Sequence, residues 1–364
     1  MTAQPWILLL AGGAGTRFWP ASRRTEPKHL LPLLPGGRCL LQETVTRVRE
    51  LTSPERIFVV TSADQVDRTV AALDGLLSAD QLIVEPEPRN TAPAIALAMV
   101  HLSLKGGGPH DPVMALPCDA WVDDVEGFRA ALSRAAVAAV EHKAIVTLGV
   151  PPTAPATAYG YLGLGPEEET AGEGLPVRKV LKFTEKPDED TARRYVDSGN
   201  YWWNAGIFVF RLGYLWYVMG DLREDFDIGM ALMGGCVQQD DRVGLAEEYG
   251  KLEAISIDYA VMEDAPSMLA VPAEVGWSDL GSWDAVGPLL EEGEGGLGRA
   301  DLLLAEDASD NLVFAPGKVV ALIGVSGLAV VATDDAVLVV PRERAQEVRA
   351  MVERVKGAGR EDLT

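Results

Sequence analysis

Apolar residues fall in short blocks through the first 150 positions, and their spacing switches between two patterns. Residues 6–10 (WILLL), 56–61 (RIFVVT), 81–85 (QLIVE), 112–116 (PVMAL) and 144–150 (AIVTLGV) are apolar runs of strand length. Between them, residues 40–51, 64–77, 91–104 and 128–142 carry apolar side chains at helical spacing. Strands alternating with helices predict βαβ units and a mostly parallel sheet. In such sheets ligands bind outside the carboxyl ends of the strands. The loops that follow residues 10 and 116 therefore belong on the functional edge.

The pattern changes after residue 150. Residues 159–162, 177–183 and 205–210 predict strands, with a helix over 188–198 starting behind Pro187. An acidic, glycine-containing loop over 166–174 separates two of these strands, so this part reads as a strand-rich lobe covering the sheet edge. A further strand is expected at 268–275, then a helix to residue 290 with Ser282 as its cap. Residues 291–298 (EEGEGGLG) have the composition of a linker. Short strands follow at 311–314, 318–323, 328–332 and 336–340, and a helix over 342–356 closes the chain. The division is a large domain over 1–290, a linker over 291–298 and a small β-rich module over 299–364. That module is too small to be secure alone and is expected to rest on the large domain or a partner. It is also expected to carry no catalytic group, so that ending the chain after Leu290 lowers stability or changes the oligomeric state while the surviving folded fraction keeps turnover within about tenfold, near 1.4 kcal/mol in barrier.

Composition narrows the partners. A net charge of −22 argues against general binding to nucleic acid or to an anionic membrane. It also means that a site for anionic ligands must be locally basic or use a metal ion. Three widely spaced cysteines, Cys39, Cys118 and Cys236, and four scattered histidines predict neither a disulfide framework nor a zinc site. The first apolar run has no basic region ahead of it and ends in glycines, unlike a signal peptide. The stretch 319–333 is too short and too interrupted for a membrane helix. A soluble cytoplasmic protein is the expectation.

The chemistry concentrates behind the first strand. Gly12, Gly13 and Gly15 make a loop whose backbone N–H groups can approach a phosphate closely. Arg17 adds a fixed fork of donors for phosphate oxygens. Lys28 adds a second positive charge from a segment punctuated by Pro20, Pro27 and Pro32. That order suggests a nucleoside triphosphate site, although it is neither a Walker A loop nor a G-x-G-x-x-G fingerprint. The proline-stiffened run 85–93 (EPEPRNTAP) offers Asn90 or Thr91 as a helix cap and presents Arg89, Asn90 and backbone groups to a base. Asp119 follows the fourth strand, a position where an aspartate is ordinarily a turn residue.

Five runs, taken together, resemble the sugar-phosphate nucleotidyltransferases, and within them the mannose-1-phosphate guanylyltransferases. They are 10–33 (LAGGAGTRFWPASRRTEPKHLLPL), 89–98 (RNTAPAIALA), Glu185-Lys186-Pro187, 203–208 (WNAGIF) and 276–283 (GWSDLGSW). The resemblance implies a Rossmann-like mixed sheet of the GT-A-like nucleotidyltransferase type with a small C-terminal β-helix-like domain. It implies transfer of GMP from GTP to mannose 1-phosphate, by in-line attack on the α-phosphorus, giving GDP-mannose and pyrophosphate. Asp119 and Asp279 would hold Mg2+, for which Mn2+ can substitute. Arg17 and Lys28 would neutralise the triphosphate. Gly12, Gly13, Gly15, Arg89, Asn90 and Thr91 would bind the nucleotide. Gly160, Glu185, Lys186, Asn204 and Gly206 would bind the sugar phosphate, with Asp258 and Glu263 in support. Ala120 stands where the family often has histidine. A homodimer through the C-terminal module is also implied. The alternatives are another hexose-1-phosphate nucleotidyltransferase, thymidylyl or uridylyl, and an inactive sugar-nucleotide sensor on the same fold.

Overall fold

The computed structural model describes residues 4–13 and 15–364; Ala14, inside the glycine loop, lies outside the described residues. Along the chain come β1 (Trp6–Ala11), α1 (Leu40–Val48), β2 (Ile57–Ser62), α2 (Val66–Ala72), β3 (Leu82–Glu85), α3 (Thr91–Leu104) and β4 (Pro112–Pro117). Then follow α4 (Val125–His142), β5 (Ile145–Val150), β6 (Tyr161–Glu168), β7 (Val177–Thr184), α5 (Glu189–Ser198) and β8 (Tyr201–Arg211). Three helices, α6 (Leu212–Leu222), α7 (Glu224–Gln238) and α8 (Arg242–Lys251), precede β9 (Met268–Pro272). The small module holds β10 (Glu291–Gly293), β11 (Gly296–Glu306), β12 (Asn311–Ile323), β13 (Leu328–Ala332), β14 (Val337–Pro341) and α9 (Val348–Gly357).

The first nine strands form one sheet in the order β3-β2-β1-β4-β8-β5-β9-β7-β6. It is mixed. The neighbours β3, β2, β1 and β4 run parallel, as do β5 and β9, while β8 is antiparallel to both β4 and β5. Strands β6 and β7 continue this sheet, so the expected separate lobe is its far end. Residues 166–168, read as loop, belong to β6. The antiparallel insertion of β8 turns the start of that strand, with Asn204, toward the same edge as the carboxyl end of β5.

Helices cover both faces. Leu8, Phe58 and Val113 point to one face and pack under α3, α6, α7 and α8, while Ile7, Leu9 and Val146 meet α1 and α4 on the other. Helix α3 is buried on every side from Ala92 to Val100. A helix apolar all round must be covered on its outer side as well, and α6 and α7 supply that layer. The stretch that forms α6 to α8 carries none of the motifs. Among the described residues no helix is long and apolar enough to cross a membrane.

Two boundary expectations change. Ser282 caps nothing, because the segment to residue 290 is a 3₁₀ stretch, Asp284–Leu289, with no side-chain cap. Residues 291–298, expected as a linker, pair as an antiparallel hairpin between β10 and β11. Strands β11, β12 and β13 then stack in parallel, and β14 closes the sheet antiparallel to β13.

The small module shares a core with the glycine-loop segment. Phe18, Trp19, Leu31 and Leu33 pack with Leu280, Trp283 and Val286, and with Leu312, Phe314, Val331, Val348 and Val352 of the module. Trp283 is fully buried, with Phe18 and Phe314 each 5.1 Å away between ring centroids. Trp19 Nε1 donates to the carbonyl of Leu363 at 2.7 Å, and Trp283 Nε1 to the carbonyl of Trp19 at 3.1 Å. Arg299 donates to the carbonyls of Leu34, at 2.6 Å, and of Pro32.

This arrangement revises the truncation expectation. Ending the chain after Leu290 removes one wall of the core that holds residues 16–34, so the shortened protein is expected to lose far more than tenfold in turnover. Amide exchange over 16–34 checks the cause, since it should speed up selectively. Phe314→Ala should cost about 3–5 kcal/mol in denaturant unfolding. A truncated protein with full protection over 16–34 would contradict the shared core.

Candidate active site

A cavity of about 680 Å³ opens at the carboxyl ends of β1, β3 and β4. Gly12 and Gly13 line it from the loop after β1, Arg89, Asn90 and Thr91 from the segment between β3 and α3, Asp119 from the end of β4, and Gly206 from β8. Seven of the expected site residues therefore meet at one opening. Lys28 joins Asp119 to Asp279 with Gly15 packed beside it, Arg17 lies in the 3₁₀ turn Thr16–Phe18 that follows Gly15, and Gly160, Glu185, Lys186 and Asn204 form a second cluster reached through Asp258, which also lines the cavity.

Lys28 is buried, and its Nζ has three partners: Asp119 Oδ2 at 2.7 Å, the carbonyl of Asp279 at 2.7 Å and that of Leu280 at 3.3 Å. An ammonium has three N–H donors, so the protein engages all of them. Gly15 permits this packing. It sits at φ 60°, and a Cβ there would lie 2.6 Å from Lys28 Cβ. Asp119 and Asp279 are drawn to one cation, and a backbone bridge between Trp121 and Ser278 ties their loops together. Ala120 is buried, and its carbonyl accepts from the buried guanidinium of Arg47 at 3.2 Å. Arg17 forms no ion pair among the described residues and is half-buried.

Sequence reasoning missed Tyr159 as a site residue. Its hydroxyl donates to Asp279 Oδ1 at 2.9 Å, and its ring packs edge-on against Trp203 and Trp277. Burial, and then the Asp279 charge, push the Tyr159 hydroxyl well up, so it remains a donor at neutral pH. Asp119 and Asp279 together offer carboxylate oxygens and no nitrogen or sulfur, the donor set that suits a hard cation. No group of three or more candidate metal ligands occurs among the described residues. A bound ion would thus need ligands beyond these two side chains.

The segment between β3 and α3 is stitched to residues 252–257. Arg89 Nη1 donates to the carbonyl of Leu252 at 2.6 Å, and the amide of Ile257 to Thr91 Oγ1 at 2.8 Å. Asn90 takes the left-handed φ of 71° and accepts from the Thr91 amide, which caps α3. The side chains of Asn90 and Thr91 therefore shape the loop.

In the second cluster, Asn204 holds a bulge in β8. Its Oδ1 accepts from Thr147 Oγ1 at 2.8 Å and from the Gly206 amide at 3.1 Å, where Gly206 takes φ 69°. Its Nδ2 donates to Asp258 Oδ1 at 3.2 Å, leaving one N–H for a ligand. Glu185 is buried beside Gly160, where a Cβ would lie 2.6 Å from Glu185 Oε2. Lys186 pairs with Glu185 while more than half exposed. Partial burial pulls its ammonium down, but the Glu185 hydrogen bond and charge raise it overall. Burial, and then the Glu185 charge, push the Asp258 carboxyl up to about 6. Glu263 accepts from the Glu185 amide at 3.3 Å.

Residues 7–291 match the family model described as Nucleotidyl transferase, and residues 304–355 match the MannoseP isomerase/GMP-like beta-helix domain. The xanthan biosynthesis protein XanB of Xanthomonas campestris pv. campestris (strain B100) is 38% identical over 363 residues, which cover 98% of this chain and 74% of that protein. The mannose-1-phosphate guanylyltransferase of Escherichia coli (strain K12) is 36% identical with the same coverage. A solved structure from Thermus thermophilus, described as a mannose-1-phosphate geranyltransferase, superposes with a TM-score of 0.83 at 34% identity. It covers 97% of this chain and 99% of its own.

The raised Asp258 carboxyl carries a pH signature. Between about pH 4 and 6 the unfolded chain releases a proton that the folded chain keeps, so stability falls as pH rises through that window and the deficit is constant above it. Asp258→Asn removes the deficit and keeps an acceptor for Asn204. The variant should be more stable at pH 7.5 by at most about 3 kcal/mol, converging with the parent below about pH 4. Denaturant unfolding across pH 4–8 measures the gap; a gap that does not change with pH would refute the assignment.

Proposed function

The chain belongs to the nucleotidyl transferase family, and we propose that it transfers GMP from GTP to mannose 1-phosphate, releasing pyrophosphate and GDP-mannose. One observation carries the reading. The cavity with its glycine loop and the Gly160–Glu185–Asn204 cluster meet at one sheet edge and are joined through Asp258, as two substrates that react with each other require. Similarity to the E. coli mannose-1-phosphate guanylyltransferase over nearly the whole chain supports the same choice of substrates.

The reaction needs no protein nucleophile. An oxygen of the sugar phosphate attacks the α-phosphorus of GTP in line, and pyrophosphate leaves, so catalysis is alignment plus charge neutralisation. Gly12, Gly13 and Gly15 bring backbone N–H groups to the triphosphate, and Arg17 supplies its guanidinium there. Arg89, Asn90 and Thr91 form the nucleotide wall. Lys186 binds the phosphate of the sugar, Glu185 and the remaining N–H of Asn204 bind its hydroxyls, and Gly160 and Gly206 leave room for the ring. Lys28 contributes by fixing Asp119 against the Asp279 loop. Mg2+, or Mn2+ in its place, would be held by Asp119 and Asp279 and would supply charge neutralisation among the phosphates.

A panel of four nucleoside triphosphates against several hexose 1-phosphates, read by pyrophosphate release, tests the reading. GTP with mannose 1-phosphate should be the best pair, and chelation should stop turnover. Asp119→Ala and Asp279→Ala should each lower kcat by at least a hundredfold, about 2.7 kcal/mol in barrier. Preference for another base would point to a different nucleotidyltransferase, and binding without turnover to a sensor.

We assign a homodimer contact to the outer face of β11 and β12. There alternate residues Leu302, Leu304, Val319 and Ile323 stand 46–71% exposed as one apolar strip, the kind of patch that marks an interaction site. Light scattering should give twice the chain mass, and Val319→Asp with Ile323→Asp should give the monomer.

A further inference from the structure

We infer that Asp258 works as a carboxylic acid at the junction of the two substrates: it takes up a proton when they bind and donates a hydrogen bond to a phosphate oxygen. The inference rests on the nucleotidyl transfer reading and gives a role to a carboxyl that the in-line scheme leaves unused.

Asp258 belongs to both clusters. It lines the cavity together with Gly12, Gly13 and Asp119, and its Oδ1 accepts from Asn204 Nδ2 at 3.2 Å. The oxygen of the sugar phosphate reaches the α-phosphorus of GTP between these clusters, so two anions come to rest beside this carboxyl. Polar and charged groups face it from each neighbouring segment. Glu185 and Lys186 come from just beyond β7, Ser256, Tyr259 and Glu263 from its own segment, and the neutral Asn204 from β8. Glu85, Arg89 and Asp119 line the rest of the cavity. The cations among them are engaged elsewhere, Lys186 with Glu185, and Arg89 with Glu87 and the Leu252 carbonyl, so Asp258 has no ion pair of its own among the described residues.

Burial and then the Glu185 charge hold the carboxyl up at about 6, although its own amide, Lys186 and the Ser256 hydroxyl favour the anion. Bound phosphates tip this balance. They add negative charge beside Asp258, and the sugar's phosphate draws the Lys186 ammonium away from the carboxylates. Both changes favour the neutral acid. The proton comes from water and goes to Oδ2, because Oδ1 faces the Asn204 amide. An ionised carboxylate only accepts hydrogen bonds, whereas the acid offers one O–H donor. A phosphate oxygen is the acceptor at hand, so the group that would repel the substrates holds one of them instead. When the product leaves, the proton returns to water.

GDP-mannose fills both clusters at once, and its diphosphate has no group that titrates between about pH 5 and 8. Calorimetric titration of the full chain with GDP-mannose, in buffers of different ionisation enthalpy, therefore counts the protons that the protein takes up. The parent should take up close to one proton per site near pH 7, and almost none near pH 5, where a carboxyl that titrates at about 6 is already protonated. Asp258→Asn, which has an N–H donor and no charge, should bind with no uptake while thermal melting stays cooperative. Its kcat/KM for mannose 1-phosphate, divided by the parent's at the same pH, should rise by about tenfold or more from pH 5.5 to 8; ionisation of the sugar phosphate itself cancels in that ratio. Asp258→Ala, with neither charge nor donor, should fall about tenfold or more below Asp258→Asn at pH 8. Should Asp258→Asn not fold, the pH dependence of the parent's uptake decides. A parent that takes up no proton near pH 7, uptake that persists in Asp258→Asn, or an Asp258→Ala as active as Asp258→Asn would overturn the inference. Failure of the transfer reading looks different: GDP-mannose does not bind and no pyrophosphate is released, which removes both together, whereas binding without uptake removes the inference alone.

Discussion

The Lys28 ammonium is buried and has three N–H donors, and the protein supplies an acceptor for each. A buried charge costs several kcal/mol unless it is paired and its remaining donors are satisfied. That requirement fixes the active edge. The glycine-loop segment reaches Lys28, β4 ends at Asp119, and the 276–283 run passes its carbonyls over the same nitrogen. Three loops distant in sequence become one body because each holds an acceptor or the donor of a single junction. Gly15 follows from it, since only a residue without Cβ fits beside the lysine. On the proposed reading, with Lys28 engaged and a chain charge of −22, two anionic substrates would be met by Arg17, Lys186 and a metal ion.

A second set of buried polar contacts joins the two halves of the site. Asn204 holds the β8 bulge with its carbonyl oxygen and Asp258 with its amide. Asp258 in turn sits close enough to Glu185 for the two carboxylates to raise its affinity for a proton. Such a network tolerates burial only because nearly every group is satisfied. What remains free, one N–H of Asn204 and the exposed face of Lys186, is what a ligand can use. Tyr159 and Tyr249 play matching parts: the half-buried Tyr159 hydroxyl donates to Asp279, and the buried Tyr249 hydroxyl donates to Glu85.

The small module extends the same logic to packing. Trp283 stands between Phe18 of the glycine-loop segment and Phe314 of the module, and a well-packed core transmits displacement because it has few voids to absorb it. The C-terminal turn reaches Trp19 through the Leu363 carbonyl. The module thus packs against the segment bearing Arg17 and Lys28 and helps set its position.

By itself the sequence determined the strands and helices of the first 150 residues, because apolar periodicity is a local property and each element there buries one face or two. It placed the glycine loop and Asp119 at strand ends through the strand–helix alternation, and the resemblance of its motifs named the remaining candidate site residues. Helix α3 held an unread signal: an apolar run on all faces announces a second helical layer, though not which residues form it. Helices α6 to α8 escaped because Gly220, Gly229, Gly234, Gly235 and Gly244 interrupt their pattern. Only the tertiary structure decided the antiparallel place of β8, the hairpin at 291–298, and the meeting of Lys28 with Asp279 or of Glu85 with Tyr249. Those pairs lie more than 160 positions apart, and no periodicity records a contact whose partners are brought together by sheet order and by the need to satisfy a buried charge.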